Sequence, residues 1–199
     1  GDAERGGKVR SLVDHSIGPV WEANHVWLIY ILVFLWSAFP RPFVAMMTTL
    51  IVPLSLAALG VVLRGAGFAF RKFSATVAQA RLFGFLFALS SLITPFFFGA
   101  VAGAIASGRV PASGNGDVWT SWTGPVSLTG GLLAVLTCSF LAATFLAAEA
   151  ERGGDHETAA VMGRRAFWTG AATGAFALVS VPLLERDAPT LASGLHGRG

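Results

Sequence analysis

Five long apolar runs, separated by short polar or proline-containing breaks, dominate this chain of 199 residues. The first extends from about Ile17 to Phe39 and stops at Pro40-Arg41-Pro42. The second runs from Pro42 to Leu63 and ends at Arg64. The third covers about Leu82 to Ala106, the fourth Gly124 to Ala148 and the fifth about Ala166 to Leu184. A hydrocarbon core of about 30 Å takes about 20 apolar residues per helix, so each run predicts one membrane-crossing helix. A water-soluble bundle would show polar outer faces at helical period, whereas Leu82 to Ala106 holds no ionisable residue at all. The expected fold class is therefore all-α, a polytopic transmembrane bundle of about five helices over residues 17–184. Residues 1–16 and 185–199 form polar flanks.

Composition agrees with the pattern. Hydrophobic residues make up 54% of the chain and charged residues 13%, against roughly 25% charged in an average soluble domain. Mean hydropathy is +0.65. Disorder and an ordinary soluble domain are excluded together. The net charge of +3 does not indicate nucleic acid, because the basic residues lie between apolar runs and form no patch. A single cysteine, Cys138, rules out a disulfide within the chain. Gly1 to Arg10 is polar and charged and has no signal-peptide character.

Lys and Arg give an orientation. Ten of the 14 basic residues fall before the first run, between the second and third, or between the fourth and fifth. That side is expected to be cytoplasmic. Residues 1–16 are then inside, and the loop from Arg109 to Thr123 and the tail 185–199 outside. Trp119 and Trp122 in that loop suit a membrane interface. Gly99 and Gly103, and likewise Gly170 and Gly174, put small residues on one helix face, for contact within the chain or with another subunit. Pro53 and Pro95 are expected to kink their helices.

Of the 11 acidic residues, Glu22 alone lies inside an apolar run. It is about five residues in, or roughly 7–8 Å from the end of that helix. An ionisable group at such depth costs a few kcal/mol unless protonated, paired or wetted, and marks a functional candidate. His25 at i+3 and His15 at i−7 share its stripe, so the three form a candidate proton file. Two blander readings stand beside it. Glu22 and His25 satisfy each other across a helix contact, or Glu22 is shallow and solvated. The sequence holds no Walker A, no G-x-G-x-x-G and no H-E-x-x-H pattern. Only His25 among the four histidines lies clearly within a run, which argues against a two-histidine haem site inside this chain.

The stretch Gly18-Pro19-Val20-Trp21-Glu22-Ala23-Asn24-His25-Val26-Trp27-Leu28 resembles the G-P-x-W-[D/E]-x-N-x-V-W-L pattern of subunit II of the cytochrome bd quinol oxidases. Arg64-Gly65-Ala66-Gly67-Phe68-Ala69-Phe70-Arg71 is similar to that family's R-x-x-x-F-x-[F/Y]-R. Pro95, Gly99, Gly103 and Gly108 fit a further family run. His25, and Glu as the acid at position 22, look like the cyanide-insensitive branch. The resemblance implies a non-haem subunit, inactive alone, of a respiratory complex in the bacterial inner membrane that oxidises quinol and reduces dioxygen to water. It implies haems and quinol chemistry in a partner, subunit I, and none in this chain. It implies that Glu22 lies on a cytoplasmic proton route, and that Trp27 matches an aromatic position near an oxygen entrance in some members. It covers only the middle of a typical subunit II, so a fragment or truncated gene model is expected. A proton-coupled transporter or channel using Glu22, and a purely structural scaffold, are the alternative readings.

Overall fold

The computed structural model describes the backbone of residues 2–72, 74 and 76–197; within the helices, the side chains of residues 2–6, 8, 10, 11, 14, 15, 17–23, 25, 71, 72, 190, 195 and 196 lie outside the description. All regular elements among the described residues are helices: α1 (Asp2–Ala38), α2 (Pro40–Thr49), α3 (Ile51–Lys72), α4 (Val77–Ala106), α5 (Pro125–Arg152), α6 (His156–Asp187) and α7 (Pro189–His196). Four helical spans are long and apolar enough to cross a bilayer: Ile51–Phe70, Val77–Ala106, Pro125–Arg152 and His156–Asp187. The bent pair Val26–Ala38 and Pro40–Thr49 makes a fifth if taken together. The all-α, multi-span expectation therefore holds.

The second apolar run behaves differently from its sequence reading. Residues 42–63 do not form one helix; they are shared between α2 and α3. Two prolines account for this. Pro40 disfavours helical backbone at Phe39, so α1 stops and the chain bends by 116° into α2. Pro40 then opens α2, where its missing N–H costs nothing. Pro53 supplies no N–H to the Thr49 carbonyl, and the helix breaks at Leu50. Past that break, α3 runs through Arg64 to Lys72, eight residues beyond the end read from the sequence.

Two compact units make up the chain. The first combines residues 1–43 with 136–176. In it the end of α5 and the start of α6 form an antiparallel hairpin. Gly154, at φ +74°, closes α5, with Gly153, Gly154 and Asp155 amides bonded back to the Glu149, Glu151 and Ala150 carbonyls. The Asp155 carboxylate then caps α6 by accepting from the Thr158 amide at 3.0 Å and the Thr158 hydroxyl at 2.7 Å. Ala143, Ala150, Ala159, Met162 and Ala166 are buried along this hairpin.

The second unit combines residues 44–135 with 177–199. Here α3 and α4 lie antiparallel, with Gly60 against Thr94 and Gly67 against Phe83 and Phe87. A capping box starts α4: the Gln79 amide donates to the Thr76 hydroxyl, and the Thr76 amide donates to Gln79 Oε1, both at 3.3 Å. Gly108, at φ +70°, ends α4 in a Schellman turn whose Arg109 amide reaches the Ala104 carbonyl at 3.1 Å. The Gly99 and Gly103 stripe is spent inside the chain, since it meets Gly130, Ala134, Val126 and Ser127 of α5. Gly170 packs on Phe140 in the first unit, whereas Gly174 faces open space. The loop between α4 and α5 rests on α2: Thr48 Oγ1 donates toward the Gly114 carbonyl at 2.9 Å. Trp122 turns inward to Phe97, with ring centroids 5.7 Å apart, while Trp119 is 60% exposed.

Gly103→Leu is expected to force α4 and α5 apart, because a Cβ there already lies 2.6 Å from the Val126 carbonyl oxygen. A loss of about 1–3 kcal/mol is expected in a denaturation titration in mixed micelles. Gly174→Leu, with nothing near, should change little. Asp117 gives a pH signature. Its carboxylate accepts from the Thr120 amide at 2.6 Å and hydroxyl at 2.9 Å, and from the Trp119 amide at 2.9 Å. These bonds, the Thr120 amide foremost, hold its pKa below the ordinary Asp value. The loop order it contributes is then complete above the unfolded Asp pKa and fades as pH falls through the lower folded one. Hydrogen exchange at the Trp119 and Thr120 amides should accelerate on that acid limb beyond the intrinsic rate, and Asp117→Asn should remove the pH dependence.

Candidate functional site

Unbroken α1 carries the candidate proton file on one helical backbone. At 1.5 Å per residue, positions 15 and 22 are about 10.5 Å apart along the axis, and 22 and 25 about 4.5 Å. The side chains of His15, Pro19, Trp21, Glu22 and His25 lie outside the described residues, as does that of Arg71. Gly18 is likewise outside the burial description. The described neighbours frame these positions. Ser16 is buried, its hydroxyl donating to the Leu12 carbonyl at 2.8 Å. Asn24 is exposed.

Beyond Asn24 the helix changes character. Trp27 is 64% exposed and meets Tyr30 edge-on at 5.9 Å between centroids. Tyr30 stacks on Phe34 at 6.3 Å, and Phe34 meets Phe39 at 5.9 Å. Spacings of three to five residues stack these rings into one column along the helix. Val26, Ile29, Ile31, Val33 and Trp36, pointing in other directions, are also at least half exposed. An apolar surface that runs all round a helix belongs against lipid or another polypeptide.

Arg64, expected to end the second span, does not end a helix: α3 continues past it to Lys72. A neighbouring ring receives its charge. The guanidinium carbon sits 5.5 Å from the centre of the Phe87 ring, a cation–π contact across the α3–α4 pair. Close approach of the helices at Gly67 brings Phe87 within reach. The clue in the sequence was the lack of any breaker between Arg64 and Ser74, since Gly65 and Gly67 weaken a helix without ending it. Sequence reading also missed the pair formed by Arg109 and Asp187, at 2.5 Å. Asp187 further accepts from the Val126 amide at 3.4 Å, so the ends of α4 and α6 are tied to the positive start of α5. Among the described residues no three His, Cys, Asp or Glu side chains come together as a metal site.

Several apolar helical spans and a helix ringed with exposed aromatics define a multi-pass membrane protein. The family described as cytochrome bd terminal oxidase subunit II matches residues 3–196, and the chain belongs to it. It is accordingly a multi-pass protein of the inner membrane. A relative named cytochrome bd ubiquinol oxidase subunit 2, from Bacillus subtilis (strain 168), is 28% identical over 131 residues. That alignment covers 65% of this chain and 39% of the relative, so the chain spans well under half of that protein in the match. No solved structure matches.

Replacing Arg64 tests its contact with Phe87. Arg64→Ala is expected to lower stability by about 1–2 kcal/mol, measured as a shift in the midpoint of detergent or heat unfolding. Arg64→Lys should recover only part of this, because an ammonium lacks the planar face that lies over a ring.

Proposed function

We propose that this chain acts as subunit II of a cytochrome bd-type quinol oxidase, scaffolding a haem-bearing subunit I and carrying protons toward it from the cytoplasm. The observation that supports this best is the layout of α1. An acid at position 22 stands one turn before a stretch, Val26 to Phe39, whose large apolar side chains are exposed on every side. A partner polypeptide covering that stretch would shield the acid's neighbourhood from water as well.

The chemistry requires such a supply. Reduction of one dioxygen to two waters takes four electrons and four protons. Haem chemistry in subunit I would deliver the electrons from quinol. This chain's share is the protons. By register, His15 stands nearest the cytoplasmic end, Glu22 follows two turns on, and His25 one turn further. Glu22 would take a proton on a carboxylate oxygen and release it inward, with an imidazole able to accept and give up protons on either side of it. The excess of Lys and Arg on the N-terminal side supports uptake from inside.

Glu22→Gln in the assembled complex is expected to slow oxygen reduction by about 10²-fold with haem content unchanged. Glu22→Asp should be milder, since it keeps an exchangeable proton. Unchanged turnover in Glu22→Gln would leave only the scaffold role. Proton-coupled flux through liposomes holding this chain alone would favour the transporter reading instead.

A further inference from the structure

The hairpin of α5 and α6 in the first unit buries small side chains at its centre, and an open groove runs beside that contact. Ala143 and Leu146 of α5 line one wall, and Met162, Arg164, Arg165 and Trp168 of α6 the other. The lining is mainly apolar, and two consecutive arginines contribute to it. Both arginines are exposed, and neither has a carboxylate partner among the described residues. Trp168 is 66% exposed on the same helix. The Thr169 hydroxyl donates to the Arg165 carbonyl at 2.8 Å and carries no charge to balance the arginines.

Position along the helix adds to this. Arg164 and Arg165 immediately precede the apolar run that begins at Ala166. In a bilayer, adjacent cations at that level stand where phosphate groups lie, and a tryptophan one turn deeper stands at the edge of the hydrocarbon. Two cations without a counter-charge among the described residues, beside an apolar furrow, are complementary to a molecule with an anionic head and an apolar tail. Free phosphate would satisfy the arginines and leave the Ala143, Leu146 and Met162 wall uncovered.

We propose that this groove holds an anionic phospholipid, its phosphodiester on Arg164 and Arg165 and an acyl chain along the α5–α6 furrow beside Trp168. The lipid would fill the side of the hairpin and fix its depth in the membrane. None of the groove's lining residues belongs to the candidate proton file, and the proposal does not depend on oxidase activity.

The test is native mass spectrometry of the complex purified from its own membranes, washed with detergent and re-exposed to vesicles of phosphatidylglycerol or phosphatidylethanolamine. Phosphatidylglycerol should be retained in preference. The R164Q/R165Q double variant should lose retention by about tenfold to thirtyfold, the effect of about 1 kcal/mol per basic residue near an anionic surface. R164K/R165K should keep most of it. If the double glutamine variant fails to assemble, Trp168→Ala serves in its place and is expected to weaken retention several-fold. Equal retention of phosphatidylethanolamine would overturn the proposal. So would unchanged retention in the glutamine and Trp168 variants. Displacement of the lipid by inorganic phosphate alone would also overturn it, by reducing the groove to a simple anion site.

Discussion

Hydrocarbon offers a peptide group no hydrogen-bond partner, and that single constraint shapes this chain from end to end. Each span must satisfy its own backbone as a helix, and each interruption must account for the groups it frees. The interruptions here do so with local chemistry. Gly108 and Gly154 take left-handed conformations that return amides to the last carbonyls of α4 and α5. Thr76 with Gln79, and Asp155 with Thr158, occupy the free amides that open α4 and α6. Pro40 opens α2 where no amide is needed, and Pro53 withholds one from the Thr49 carbonyl at the break at Leu50.

Once the backbone is satisfied internally, helix association in lipid rests on close packing, because burying apolar surface against apolar surface gains little there. The second unit shows the consequence. Gly60 and Gly67 let α3 approach α4, and Gly99, Gly103 and Gly130 let α4 approach α5 almost backbone to backbone. That approach is what brings Phe87 to Arg64. At the other end of α4, Arg109 and Asp187 join helix termini whose partial charges they complement. Packing and charge thus act together: small residues set the distance, and the few ionisable groups are placed where a ring, a counter-ion or a helix end receives them.

Membership of the cytochrome bd subunit II family gives the exposed aromatic column of α1 a setting. A helix that presents Trp27, Tyr30, Phe34 and Trp36 to its surroundings calls for an apolar environment, lipid or another polypeptide.

The helical, membrane-spanning character was legible directly, because run length and the absence of charge are properties of consecutive residues and need no knowledge of packing. The motif around Glu22 was legible for a related reason: residue types at fixed spacing on one helix share a face whatever surrounds it. Helix ends were partly written in the chain as well, in the Thr76-x-x-Gln79 box and the Gly153-Gly154 pair. What the linear pattern lacked was the third dimension. The run 42–63 looks uniform, yet it divides at Leu50 because Pro53 offers no amide to a carbonyl one turn away. Arg64 looks like a span's end until the fold sets Phe87 beside it, and Arg109 and Asp187 are 78 residues apart in the chain. Hydropathy sums over neighbours in sequence, whereas the cost of a charge depends on its neighbours in space, and only the tertiary structure decided those.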